Sequence, residues 1–134
     1  MIVADIEDLS CVALAKQDRI LLDAPCSAIG VIRRHPEIKT LRELSDVHNL
    51  AAVQLKLLTM LWPVLNANGI LLYATCSILP QENDNVIENF LKITADAKII
   101  QIQADWGVAG KYGRYCLPPQ TDGFYYAKLT RLRI

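Results

Sequence analysis

Glycine is scarce in this sequence, and no glycine-rich loop is present. Six of the 134 residues are glycine, and none shows the G-x-G-x-x-G spacing that opens a dinucleotide-binding turn. No apolar run reaches the roughly 20 residues that a membrane-spanning helix requires. Residues 1–8 are acidic, unlike the basic start of a signal peptide. These absences predict a cytoplasmic protein without a membrane partner and without a nucleoside-binding first turn.

Net charge is absent as well, because 14 Lys and Arg residues balance 14 Asp and Glu residues. A globally basic nucleic-acid-binding protein is therefore not indicated, and RNA binding would need a local basic patch. The cysteines form no C-x-x-C pair, stand near no His at zinc-ligand spacing and are too sparse for a secreted disulfide framework. Hydrophobic residues make up 52% of the sequence, which favours a packed domain over disorder.

Strand and helix patterns alternate along the chain. Residues 19–23 and 70–75 are short apolar runs typical of buried strands. Between them, apolar residues recur at helical spacing from Val47 to Trp62, and Pro63 is expected to kink or end that helix. Residues 66–69 predict the turn that leads into the second strand.

The second half of the chain predicts a further helix and three more strands. The helix begins near Gln81, where acidic Glu82 and Asp84 suit the positive end of its dipole. Residues 97–103 predict a strand, and residues 113–117 and 123–132 predict an antiparallel hairpin. The order of elements predicts an α/β fold with a mostly parallel sheet and a C-terminal antiparallel hairpin.

Two cysteines directly follow predicted strands. Cys26 follows the first strand and Cys76 follows the second, and ligands of open α/β sheets bind beyond the carboxyl ends of the strands. Both thiols are therefore expected in one crevice near Asp23, an arrangement that suits covalent catalysis by a thiolate. A disulfide between them is the alternative, which a reducing cytoplasm disfavours. Cys11 and Cys116 fit better as small buried hydrophobic residues.

The loop after Cys26 allows two further interpretations. A tyrosine-phosphatase loop needs Cys-x-x-Gly-x-x-Arg, but Gly30 and Arg33 each come one residue too late. The same loop holds the one concentrated basic segment of the sequence, which comprises Arg33, Arg34, His35, Lys39 and Arg42. It is either a solvated loop or a contact for a polyanionic substrate beside the thiols.

Four segments of the sequence resemble the motifs of a known family. DAPCSA (residues 23–28) and ATCS (residues 74–77) resemble motifs IV and VI of the RNA 5-methylcytosine methyltransferases. GVIRRHP (residues 30–36) and DGFYYAKL (residues 122–129) resemble the Sun/Fmu (RsmB-type) ribosomal RNA branch. The resemblance extends over nearly the whole chain, and it implies a partial Rossmann-like class I methyltransferase fold.

The resemblance also implies roles for individual residues. Cys76 would attack cytosine C6, which activates C5 for methylation by S-adenosylmethionine, and Cys26 would help to eliminate the enzyme afterwards. The opposite assignment is a real rival, because DNA cytosine methyltransferases attack from a Pro-Cys motif. The other expected sites are Asp23 for the target base and the methionine end of the cofactor, Pro25 for the cofactor, and Asp5 for its adenine. Arg33, Arg34, His35 and Lys39 are expected to bind ribosomal RNA.

The sequence departs from the family at its start. Family members carry an N-terminal RNA-binding domain and then a glycine-rich strand and loop for the cofactor, and neither is found in residues 1–134. We therefore expect this chain to be the C-terminal part of the methyltransferase domain, lacking the cofactor-loop strands and inactive alone. The alternative is a non-catalytic, self-associating fragment with weak RNA binding. An unpaired strand edge at residues 20–22 would support a homodimer.

Overall fold

The computed structural model describes residues 15–134 as one mixed six-stranded sheet with helices packed on one face. The strands are β1 (Gln17–Asp23), β2 (Leu65–Thr75), β3 (Ala97–Ile100), β4 (Val108–Ala109), β5 (Arg114–Cys116) and β6 (Phe124–Arg131), and the helices are α1 (Ile38–Leu41), α2 (Leu44–Leu61) and α3 (Asp84–Ile93). The sheet order is β1-β2-β6-β5-β4, and β3 also pairs with β6. The predicted α/β class is confirmed.

The first unit is a strand, a helix and a parallel strand, as the sequence predicts. The backbone N–H of Glu43 donates to Asp46 at 2.9 Å, which caps the start of α2. Pro63 ends the helix, because the chain passes into a 3₁₀ turn at Trp62–Val64. The crossover then returns β2 alongside β1, so that Asp23 lies beside Ala74 at the carboxyl ends of both strands.

The prediction that a turn at residues 66–69 precedes the second strand is wrong, because these residues lie inside β2. They form an irregularity in the strand pairing: Gln17 pairs with Leu65, whereas Arg19 pairs with Ile70. Asn68 has a φ of 62°, in the left-handed region that Asn tolerates better than most residues. The polar residues that suggested a turn accommodate a bulge instead.

The rest of the sheet is antiparallel. The predicted hairpin is confirmed, since β5 pairs with β6 in antiparallel register. The parallel pairing is confined to β1 and β2, however, because β6 runs antiparallel to β2 on one side and to β3 on the other. The strand predicted over residues 97–103 ends at Ile100, and the short strand β4 was not predicted.

The hydrophobic core lies between the sheet and helices α2 and α3. Its strand residues alternate, as in Leu71 and Tyr73, and the predicted apolar face of α3 is buried against them through Val86, Ile87 and Phe90. Trp62 packs edge-on against Phe90 with ring centroids 5.1 Å apart. Each such side chain stabilises the fold by about 1.5–3 kcal/mol on burial.

The opposite face of the sheet carries an apolar trough of about 870 Å³. Side chains from the three longest strands line it, among them Leu21, Ile70, Leu72 and Tyr126, with Arg19 and Lys128 beside them. Within residues 15–134, no helix is long and apolar enough to cross a membrane.

Candidate active site

The two cysteines that follow β1 and β2 meet at one edge of the sheet. Their sulfur atoms lie 3.3 Å apart, a hydrogen-bonding separation, and both thiols are free and half-buried. The sulfurs lie close together because β1 and β2 are parallel and their pairing continues beyond the strand ends. The Ala24 N–H donates to the Ala74 carbonyl at 2.8 Å. The predicted juxtaposition of Cys26 and Cys76 is therefore present.

The surroundings of the Cys26 thiol favour its protonated form. Burial raises the pKa of Cys26 to about 12, a backbone hydrogen bond from Ala28 offsets part of the rise, and the neighbouring Cys76 adds to it. Cys26 therefore keeps its proton at neutral pH and has an S–H that can donate to the Cys76 sulfur. The deprotonated thiolate is the form in which cysteine acts as a nucleophile.

A close backbone contact holds the loop after Cys26 against the loop after Cys76. The Gly30 N–H donates to the Cys76 carbonyl at 2.9 Å, and the Gly123 N–H donates to the Gly30 carbonyl at 2.6 Å. A Cβ atom on Gly30 would lie 2.1 Å from the Gly123 carbonyl oxygen. Only glycine at this position lets three chain segments converge behind the thiols.

Beneath the thiols lies a network of buried polar side chains. It includes all the buried polar side chains of residues 15–134, namely Ser27, Gln54, Thr75, Ser77, Glu82 and Asn83. Glu82 accepts hydrogen bonds from the Ser27 hydroxyl at 2.6 Å and the Ser77 hydroxyl at 2.5 Å. The Ser27 N–H donates to the other carboxyl oxygen of Glu82 at 2.7 Å.

The turn that carries Cys76 is fixed by its own hydrogen bonds. The Thr75 hydroxyl donates to Asn83 Oδ1 at 2.6 Å, and Asn83 Nδ2 donates to the Ser77 carbonyl at 2.8 Å. The Tyr73 hydroxyl donates to the Glu82 carbonyl at 2.6 Å. Burial raises the pKa of Tyr73, so this phenol stays protonated and keeps donating.

The turn that carries Cys26 is held by donors from α2 and from the segment before it. Gln54 Nε2 donates to the Pro25 carbonyl at 2.8 Å and to Glu82 at 3.4 Å. Arg42 Nε donates to the Ser27 carbonyl at 3.2 Å. Arg42, predicted as part of a basic surface, therefore also positions the loop beside the thiols.

The other predicted site residues are dispersed around the thiols. Asp23 is the exposed last residue of β1, and its charge adds to the burial that raises the pKa of Tyr126. The Pro25 ring is exposed beside it. Asp5 and Cys11 lie outside the described residues. Cys116, expected in the core, is only half-buried and lines the trough.

The predicted RNA-binding residues are exposed, and three of them have acidic partners. Arg33 lies 3.3 Å from one Asp122 carboxyl oxygen, and Arg34 pairs with the other oxygen. His35 Nδ1 lies 3.3 Å from Glu37, and Lys39 lies exposed on α1. Asp122 therefore neutralises part of the arginine charge and ties this segment to the loop before β6.

Sequence reasoning missed the role of Glu82. It was predicted as an acidic residue at the start of a helix, but α3 begins at Asp84 and Glu82 is completely buried. Asp84 is also engaged, because it accepts from the Tyr125 hydroxyl at 2.6 Å and from the Lys111 and Tyr112 N–H groups at 3.0 Å. The sequence feature that could have indicated a role for Glu82 near the thiols is its short separation from Cys76 along the chain.

The sequence profile of the family described as 16S rRNA methyltransferase RsmB/F matches residues 1–130. The chain belongs to this family. It is 56% identical over 117 residues to the ribosomal RNA small subunit methyltransferase B of Pasteurella multocida, covering 86% of this chain and 26% of that protein. A probable methyltransferase B of Coxiella burnetii is 53% identical over 114 residues, with 84% and 26% coverage. The chain thus spans about a quarter of the length of these relatives.

Two solved structures share the fold of this RsmB/F-family chain. NSun6 from Pyrococcus horikoshii with SFG, an S-adenosylmethionine analogue, superposes with a TM-score of 0.84 at 27% identity and covers 99% of this chain and 34% of that one. A methyltransferase homologue from the same organism gives a TM-score of 0.79 at 28% identity, with 96% and 43% coverage. The family and the solved structures agree on a partial methyltransferase domain.

Proposed function

We propose that this chain is the C-terminal part of the methyltransferase domain of an rRNA cytosine-C5 methyltransferase, and that it carries the catalytic thiols. The observation that carries the proposal is the pair of free thiols, Cys26 and Cys76, 3.3 Å apart at the carboxyl ends of parallel strands. Membership of an rRNA methyltransferase family supports the substrate class. A reducing cytoplasm would keep both sulfurs available.

In the proposed mechanism Cys76 is the nucleophile. Its thiolate forms a bond to cytosine C6, and the displaced ring electrons make C5 nucleophilic enough to take up a methyl group. S-adenosylmethionine supplies that methyl group. Loss of the C5 proton to water then re-forms the ring double bond, and the electron pair of the C6–S bond returns to Cys76. Methyl transfer thus leaves the enzyme unchanged.

Cys26 assists the last step of this mechanism. Its raised pKa keeps the sulfur protonated, so the S–H can donate a hydrogen bond to Cys76 as that sulfur leaves C6. Stabilising the departing thiolate speeds elimination without being needed for attack. The assignment of attack to Cys76 and elimination to Cys26 rests on the resemblance of residues 74–77 to motif VI and of residues 23–28 to motif IV.

The described residues fit part of an S-adenosylmethionine site. The Asp23 carboxylate is exposed where ligands of α/β sheets bind, and it complements the ammonium group at the methionine end of the cofactor. Pro25 offers an apolar ring beside it, and we keep Asp5 as the proposed adenine contact. Asp5 and Asp23 would supply only part of the contacts to the adenine and the methionine end, so we expect residues 1–134 alone to bind the cofactor weakly and to be inactive.

The experiment that tests this proposal traps the covalent intermediate. In a protein extended to the length of its relatives, 5-fluorocytosine RNA should give a gel-stable adduct that Cys76→Ala abolishes, whereas Cys26→Ala should make the adduct accumulate on natural RNA. Cys116→Ala, which removes a thiol that lines the trough, is the matched control and should change neither result. An adduct that survives Cys76→Ala and disappears in Cys26→Ala would reverse the two roles.

A second candidate function is favoured by the exposed edge of β1. In this alternative the chain is a non-catalytic, self-associating unit with weak RNA binding. Its support is Leu21, which is 67% exposed on an edge strand beside the apolar trough. The two functions differ in the adduct experiment, because this alternative predicts no covalent intermediate.

A further inference from the structure

Glu82 is the one acidic side chain within residues 15–134 that is completely buried. Burying a carboxylate is costly unless hydrogen bonds compensate the lost water. Its donors are the Ser27 N–H, the Ser27 and Ser77 hydroxyls and the Gln54 amide. None of these donors carries a charge, so no ion pair accounts for an acidic residue at this point of the core.

Two of the residues that donate hydrogen bonds to Glu82 are the serines next to the two cysteines. Ser27 directly follows Cys26, Ser77 directly follows Cys76, and their hydroxyls donate to the same oxygen, Glu82 Oε2, at 2.6 and 2.5 Å. A single atom thus joins the two turns at equivalent positions. The shared acceptor therefore links the residue after Cys26 to the residue after Cys76.

We propose that Glu82 is a positioning residue that holds the Cys26 and Cys76 turns at the separation that the thiol pair requires. This inference rests on the proposed function only for its catalytic consequence, since the geometry of the thiols can be measured without RNA. An amide in place of the carboxylate offers one accepting oxygen instead of two. It therefore cannot receive the Ser27 N–H on one oxygen and both hydroxyls on the other.

The proximity of the thiols can be read from the rate at which diamide converts them to a disulfide. Both S–H bonds are lost, one S–S bond forms, and diamide takes up the two hydrogens as its hydrazine. In a Cys11→Ala/Cys116→Ala background, Glu82→Gln should slow this reaction by about 10- to 100-fold, the range expected when reacting groups are misplaced by roughly 1 Å. Glu82→Asp retains both oxygens and should restore part of the rate.

Asp84→Asn is the matched control. Asp84 is also an acidic residue with three hydrogen bonds, but its donors belong to Lys111, Tyr112 and Tyr125 and not to either thiol turn. It should lower thermal stability and leave the disulfide rate unchanged. If Glu82→Gln does not fold, Ser77→Ala removes one of the two hydroxyl donors and should slow the reaction by a smaller factor.

Equal disulfide rates in the parent and a folded Glu82→Gln variant, whether fast or slow, would overturn the proposal, as would an equal loss in Asp84→Asn. In a protein of the relatives' length, the same variant should lower kcat and leave KM for RNA unchanged. A slowed disulfide rate without any RNA adduct in the parent would uphold the positioning role and reject the proposed methyltransferase chemistry. The two failures are therefore distinguishable.

Discussion

The two faces of the sheet are built from the same strands but have different environments. Leu21 and Leu22 are neighbours in β1, yet Leu22 is 4% exposed beneath the helices and Leu21 is 67% exposed on the other side. The helix-covered face holds the core, whereas the open face presents a trough of similar apolar character. Since burial and not residue type decides the stabilisation, the two faces should respond very differently to the same substitution.

The largest effect is expected on the covered face. Leu22→Ala should lower the free energy of unfolding by about 2–5 kcal/mol, the usual cost of a cavity at a buried leucine. Leu21→Ala in the same strand should change the free energy of unfolding of the monomer by at most about 0.5 kcal/mol, as for exposed positions. Urea unfolding followed by circular dichroism would measure both. Equal losses would mean that the open face is covered in solution.

Self-association is the next largest effect, and it tests what the open face does. Strand β1 is at the edge of the sheet within residues 15–134, and its apolar stretch at residues 20–22 is a template for another chain. We expect a dimer at low micromolar concentration, and Leu21→Lys should shift it to monomer. Light scattering would decide, and a monomer mass without concentration dependence in the parent chain would rule the dimer out.

The smallest expected effect is on RNA binding. It distinguishes the arginines of the loop after Cys26 from the basic residues of the open face. Replacing Arg33 and Arg34 with Ala should weaken RNA binding and reduce its salt dependence by about one unit of slope per lost phosphate contact. Arg19 and Lys128 are basic residues of the trough, and their replacement by Ala is the matched control. RNA titrations at several salt concentrations would show which pair matters; an effect of the trough pair alone would place RNA on the open face.

The thiol pair was predictable because its signal is local. Cys26 and Cys76 each follow an apolar strand, and the parallel crossover is enough to bring such positions together. The hairpin and the buried face of α3 have similarly clear patterns. Each of these predictions needs only the residues of one or two neighbouring elements.

The errors came from residues whose environment depends on distant partners. Glu82 is buried because Ser27, 55 residues earlier, supplies two of its hydrogen bonds, and nothing local distinguishes it from an acidic helix cap. The polar run at residues 66–69 has the composition of a turn, but it lies inside β2, between the pairings of Leu65 with Gln17 and of Ile70 with Arg19.

The hydrogen bond between Gly30 and Gly123 links the turn that carries Cys76 to residues at the protein surface. The Cys76 carbonyl accepts from Gly30, the Gly30 carbonyl accepts from Gly123, and Gly123 adjoins Asp122, which binds Arg33 and Arg34. A phosphate that displaced Asp122 from the two arginines would loosen the outer end of this chain of contacts. Two main-chain hydrogen bonds, through Gly30 and Gly123, thus separate the Cys76 turn from the loop that binds the two arginines.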